Sequence, residues 1–196
     1  MMEVKASDVM ELRKRTGCGV MECKKALQEC NGDLEKAQEY LRKLGAKTAE
    51  SKAGREVKHG VIAAYVHADA RKGAMVELLC ETDFVSRLEE FRNVAKELAM
   101  QVVASKPLYL TPEDVPEDVK KKEEEIYREQ MKDSGKPPQV IDRIVQGKMM
   151  KFYQTVCLME QPYIREPKKY VKELINELIQ KVGENVKVGR FARFEL

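Results

Sequence analysis

Tryptophan is absent from this chain, histidine occurs only twice, and aromatic residues make up 6% of the total. His59 and His67 fall in no recognisable nucleophile, metal or relay pattern, which removes the commonest enzyme constellations. A phosphate-cradling Gly-x-x-x-x-Gly-Lys-Ser/Thr loop is missing as well, so the chain shows no means of holding a nucleotide of its own. No Cys-x-x-Cys pair occurs among Cys18, Cys23, Cys30, Cys80 and Cys157. An odd cysteine count in a chain without an export signal makes free thiols the default, and Cys23 and Cys30 share an apolar helical stripe suited to packing. Neither sign of charge dominates: 36 basic against 33 acidic residues leave +3, too balanced to argue for direct nucleic-acid binding. No apolar run approaches the ~18 residues of a membrane helix. Met1-Met2-Glu3-Val4-Lys5 lacks the charged-then-apolar order of a secretory signal, so a cytoplasmic protein with no membrane contact is expected.

What is present is charge and helical periodicity. Charged residues reach 35% of the 196 positions, against about 25% in an average globular domain, which predicts extensive exposed helical surface. Ser7 can cap a first helix carrying Val9, Met10 and Leu12, broken by Thr16-Gly17-Cys18-Gly19. Val20, Cys23, Leu27 and Cys30 mark a second helix that ends at Asn31-Gly32. Asp33 then caps a third with Leu34, Ala37, Leu41 and Leu44, closed by Gly45. Residues 1–45 are therefore expected to form a compact three-helix domain. Residues 46–59, with Lys47, Lys52, Arg55 and Lys58 and few large apolar side chains, read as an exposed linker, helical at best in part.

From Gly60 the period changes to that of strands. Val61 to Val66, a turn through Asp69-Ala70-Arg71-Lys72-Gly73, and Ala74 to Cys80 predict an antiparallel hairpin, and Val186, Val188, Phe191 and Phe194 offer a third strand. Val85, Leu88, Phe91, Val94, Ala95, Leu98 and Val102 predict a helix to about Ala104, and Val171, Leu174, Ile175, Leu178 and Val182 another. The fold class is α+β: the bundle, then residues 60–196 as a core with a small antiparallel sheet and helices on one side. A helical hairpin is expected at about 112–159. Its first helix starts at Thr111-Pro112, its sparse apolar face is interrupted by Lys120 to Glu125, and Ser134-Gly135-Lys136-Pro137-Pro138 turns the chain. Ile141, Ile144, Val145, Met149, Phe152 and Val156 line the return. The charge run reads as a solvated helix face.

The segment Glu81-Thr82-Asp83-Phe84-Val85 sets a carboxylate beside a large ring at a strand-to-helix corner. The residues alone leave two readings open. Thr82 or Asp83 caps the following helix while Phe84 packs inward, or the pair reaches another molecule. Two further blocks join it: Leu12-Arg13-Lys14-Arg15-Thr16-Gly17-Cys18-Gly19-Val20-Met21-Glu22-Cys23-Lys24-Lys25-Ala26-Leu27, and Gly183-Glu184-Asn185-Val186 through Arg190-Phe191-Ala192-Arg193-Phe194-Glu195. In these three blocks, in this order over nearly the whole chain, the sequence resembles the translation elongation factor Ts family, the guanine-nucleotide exchange factors of elongation factor Tu. It departs from the family pattern at Cys18, usually a smaller residue, at Glu22, often aspartate, and at Gly189, often a second arginine.

The resemblance implies that the first domain is of the ubiquitin-associated type and that elongation factor Tu is the partner. It further implies that the Thr82, Asp83, Phe84 and Val85 segment enters that GTPase near its Mg²⁺ and phosphate site, where ring and carboxylate disturb the groups that hold GDP. A second contact is implied at the start of the second helix. Met21 and Lys24 fall off the apolar stripe there and face out, while Val20 belongs by its spacing to the bundle core. No catalytic residue, metal or cofactor is expected. A lone small sheet exposes edges and apolar area, so a homodimer is expected. The competing functional readings are a ubiquitin-associated-type adaptor that needs only residues 1–45, and a cysteine hydrolase using Cys80 with His59 or His67.

Overall fold

The computed structural model describes residues 4–196, so Met1 to Glu3, which open the stretch read for a secretory signal, lie outside the described residues. The fold is α+β. Its helices are α1 (Ala6–Thr16), α2 (Val20–Glu29), α3 (Leu34–Lys52), α4 (Asp83–Arg87), α5 (Glu89–Ser105), α6 (Glu117–Glu129), α7 (Pro138–Val156) and α8 (Val171–Val182). Its strands are β1 (His59–Val66), β2 (Lys72–Cys80), β3 (Pro162–Tyr163), β4 (Glu166–Tyr170) and β5 (Val186–Glu195). A small antiparallel sheet has the order β1-β2-β5, and β3 pairs with β4 in a second, two-stranded sheet. No helix among the described residues is long and apolar enough to cross a membrane.

The chain divides into two compact units. One holds residues up to Ala63 with Val76–Lys96 and Glu173–Gly189; the other holds Ala64–Met75, Glu97–Lys172 and Arg190–Leu196. In the first unit, Val9, Leu12, Cys18, Cys23, Ala26, Leu27, Ala37 and Leu41 form one buried cluster of the three-helix bundle. Local signals set the ends of these helices. Gly17 takes φ +69 at the end of α1, and Asn31 and Gly32 are both left-handed after α2. Asp33 accepts the backbone N–H groups of Glu35 and Lys36 at 3.0 Å to open α3. Ser7 does not cap α1: Lys5 holds that position and Ser7 lies inside the first turn.

Gly45 does not close α3. The helix runs on to Lys52 with Gly45 buried in its middle; a Cβ there would stand 2.8 Å from the end of the Gln180 side chain and 3.8 Å from the Asn176 carbonyl oxygen, so the glycine marks a close approach to α8 instead of a terminus. Val20 is also displaced from its expected place. It is 44% exposed at the first turn of α2, and Cys18, from the turn before it, lies in the core. The single helix expected from Val85 is split at Leu88, which is extended (ψ 135) and 46% exposed, while Val85 and Phe91 are both buried. In β2, Val76, Leu78 and Cys80 are buried, and so are Val186 and Val188 of β5, giving the sheet its inward face.

The second unit contains the helical hairpin. Thr111 and Pro112 start only a single 3₁₀ turn, because Val115 before Pro116 is extended and α6 begins after that proline. No residue of α6 is buried, and Val145 is the buried residue of α7. The root of the hairpin is a buried glutamine pair. Gln101 Nε2 donates to Gln161 Oε1 (3.2 Å) and to the Pro162 carbonyl (3.1 Å), and Gln161 Nε2 donates to the carbonyls of Ser105 (3.1 Å) and Thr155 (3.0 Å). The β3–β4 pair was not expected from the sequence, since its strands are two and five residues long and polar.

Candidate functional site

The corner between β2 and α4 is built by polar groups from distant parts of the chain. Thr82 is the N-cap residue of α4, its hydroxyl 3.5 Å from the Val85 amide nitrogen. The same residue is held more tightly from behind: its N–H donates to Glu184 Oε2 at 3.0 Å and its hydroxyl to Glu184 Oε1 at 2.6 Å. Glu81 accepts the Asn185 N–H at 2.6 Å, and the Asn185 side-chain amide donates to the Arg55 carbonyl at 2.8 Å. Cys80 donates its thiol to the Thr82 carbonyl at 3.1 Å, and Ser86 its hydroxyl to the Asp83 carbonyl at 2.7 Å. The backbone of this corner is therefore bonded on both sides.

On that frame Phe84 points out, 76% exposed, the largest exposure of any phenylalanine here. A ring that capped a core would be buried, so inward packing of Phe84 is overturned. Val85 beside it is buried and anchors the turn. Asp83 pairs with Arg87 one turn along α4 at 2.7 Å, a contact exposed to solvent. The corner thus offers an apolar ring next to a carboxylate whose counter-ion is replaceable.

The second sequence-predicted patch lies on the bundle. Met21 is 74% exposed, Val20 half exposed, and Lys24 exposed, so all three face solvent at the start of α2. Glu22, at the third position of the helix, returns a carboxylate to the Gly19 N–H at 3.1 Å and fixes this first turn. Gly189 lies where a Cβ would meet Glu77 Oε2 at 2.8 Å and Leu79 Cδ1 at 3.2 Å, so glycine leaves room for these two β2 side chains to lie over β5.

The cysteines do not form a reactive centre. All five are free and all but Cys30 are buried. Burial, with the Glu184 carboxylate adding to it, pushes the Cys80 thiol up to about 11. Burial likewise raises Cys157 to about 11. A thiol kept protonated near neutrality is a poor nucleophile. Among the described residues no group of three or more metal-ligating side chains is arranged to hold an ion. The sequence reading missed the brace behind the corner: Glu184 and Asn185 stood in its C-terminal block, but nothing local says that they meet Thr82 and Glu81.

Comparison with known proteins identifies the family. The family model described as Elongation factor TS matches residues 22–196. The chain is 55% identical over 195 residues to Elongation factor Ts of Thermotoga maritima, covering 100% of this chain and 97% of that protein. It is 54% identical over 192 residues to that of Caldanaerobacter subterraneus subsp. tengcongensis (98% and 96%), and 53% identical over 195 residues to that of Thermodesulfovibrio yellowstonii (100% and 97%).

Proposed function

The chain belongs to the elongation factor Ts family and acts in translation elongation; from that premise we propose that it is a guanine-nucleotide exchange factor that binds elongation factor Tu and promotes release of GDP. The observation that carries this reading is Phe84, fully displayed on a corner braced by Glu184 and Asn185. Ordering a contact segment costs free energy on binding, and a corner already held in shape avoids most of that cost.

In this reading the Phe84 ring wedges into the GTPase beside its Mg²⁺ and phosphate site, while Asp83 exchanges its Arg87 partner for donors displaced there. Mg²⁺ neutralises much of the phosphate charge, so disturbing its ligands weakens GDP. Thr82 and Val85 hold the corner, and Val20, Met21 and Lys24 make the second contact. No bond is made or broken by the factor. It acts by coupled binding, and the coupling is reciprocal: the ratio by which it loosens GDP is the ratio by which GDP loosens it. No cofactor, no direct nucleic-acid contact and no membrane enter this scheme, and its setting is the cytoplasm.

The division into a ubiquitin-associated-like bundle (1–45), a connecting segment (46–59) and an α+β core (60–196) is part of the proposal, supported by the bundle's own buried cluster. So is a homodimer, supported by the exposed Val66, Met75, Phe194 and Leu196 of the second unit. Sedimentation of the purified chain at twice the monomer mass is the expected result for the dimer. The exchange reading is tested by release of fluorescent GDP from elongation factor Tu with and without this protein. Acceleration is expected, and its absence removes the reading.

A further inference from the structure

Two glycines of the bundle lie directly against α8, each facing the end of one of its long side chains. At Gly45, in mid-α3, a Cβ would stand 2.8 Å from Gln180 Oε1 and 3.8 Å from the Asn176 carbonyl oxygen. At Gly17, the end of the Lys181 side chain occupies the space a Cβ would take, its Nζ 2.8 Å from the Cβ position. The same ammonium reaches Glu90 Oε1 at 2.5 Å, at the start of α5. One lysine therefore links the turn that leads into Val20 and Met21 with the segment that follows Phe84. Lys52 Nζ donates to the Gly183 carbonyl at 2.5 Å and Arg42 pairs with Glu173 at 3.4 Å, which extends the seam along both ends of α8. The seam is imperfect: Gln180 Nε2 is buried with no hydrogen-bond partner among the described residues.

A glycine within a helix weakens it relative to nearly any other residue, so Gly45 is unfavourable for α3 taken alone. Its use is the close approach to α8. We propose that Gly45 and Lys181 are positioning residues for exchange: they seat the bundle on α8, so that Met21 and Phe84 meet the partner as one preformed surface and not as two loosely tethered contacts. This rests on the exchange reading given above. Joining two contacts rigidly raises the effective concentration of the second once the first has formed, and a loosened seat gives that gain up.

Gly45→Leu is the sharpest probe, because leucine is the better helix former, so the bundle keeps its helix while the seam is wedged open. Amide ¹⁵N relaxation on the full chain should give the bundle and α8 one rotational correlation time in the wild type, and a shorter one for the bundle in Gly45→Leu. In release of fluorescent GDP from elongation factor Tu, Gly45→Leu should raise the half-maximal factor concentration about tenfold with the maximal rate unchanged. Lys181→Glu should do the same more weakly, and Lys181→Glu with Glu90→Lys should recover the wild-type value. Equal correlation times with an unchanged concentration dependence would overturn the proposal, as would a fall in maximal rate alone or a charge swap that rescues nothing. A wild type that releases no GDP would sink the exchange reading, and the relaxation result would still decide whether the bundle is seated.

Discussion

The β2–α4 corner and the α6–α7 hairpin both display apolar side chains, Phe84 on the one and Ile126, Val140 and Met150 on the other. They are held in opposite ways. The corner is fixed by bonds to residues far away in sequence, Glu184 to Thr82 and Asn185 to Glu81. Beyond its buried glutamine root, the hairpin's two helices are joined by contacts at the surface: Arg128 to Glu124 and Asp142, and Lys148 to Gln130 and over the Tyr127 ring. Exposure alone does not mark a binding element. On the exchange reading, it is exposure on a backbone braced by partly buried, charge-assisted hydrogen bonds that singles out Phe84, because a side chain held in place before binding loses little freedom on contact.

In stability, the largest expected effect comes from removing the brace. Glu184→Ala leaves the Thr82 N–H and hydroxyl without their acceptor and should cost about 1 to 3 kcal/mol in denaturant unfolding, together with slower GDP release. Glu184→Gln keeps one acceptor and should cost less. It should also let the Cys80 thiol titrate lower, since the Glu184 charge is the second cause, after burial, of its raised value. A Glu184→Ala protein with unchanged stability would break the contrast between the two regions.

A second effect treats both regions alike and so sharpens what is special to the corner. The Cys80 and Cys157 thiols, one in each unit, are raised from 9.0 to about 11. The folded protein then holds protons that the unfolded chain has already lost, so the contribution is fully present below pH 9 and disappears as pH rises through 11. Unfolding free energy should fall across that window, and Cys80→Ala or Cys157→Ala should flatten the fall. The smallest effects belong to the hairpin. Arg128→Ala breaks a solvent-exposed pair and Met150→Ala removes an exposed side chain, and neither should move the melting temperature measurably. A clear loss of stability from either would show that the hairpin is packed more firmly than its burial indicates.

Helix ends and the hairpin of the sheet were legible in the sequence because their signals are local: left-handed Gly17 and Gly32, the Asp33 cap, the two-residue period from Val61 to Cys80. Gly45 was misread for the same reason. A glycine after a run of leucines looks like a stop, and only the approach of Gln180 explains it as a contact. Val20 fits the apolar stripe by spacing, but at the first turn of α2 it is exposed while Cys18, two residues earlier, lies in the buried cluster, a difference that periodicity does not register. The β3–β4 pair escaped because Glu166-Pro167-Lys168-Lys169 carries turn and surface residues. At the corner the residues were recognisable but their orientation was not, since a capped helix start is compatible with Phe84 facing either way. The bond from Glu184, in another part of the chain, accompanies the outward choice.

The central claim is that Phe84 serves the partner and not the core of its own chain, and Phe84→Ala tests it most directly when thermal unfolding and partner-stimulated GDP release are measured on the same sample. A ring 76% exposed leaves no cavity when truncated, so the melting temperature should stay at the wild-type value while release slows sharply. A large drop in melting temperature with release intact in the folded fraction would contradict the account and return Phe84 to the core.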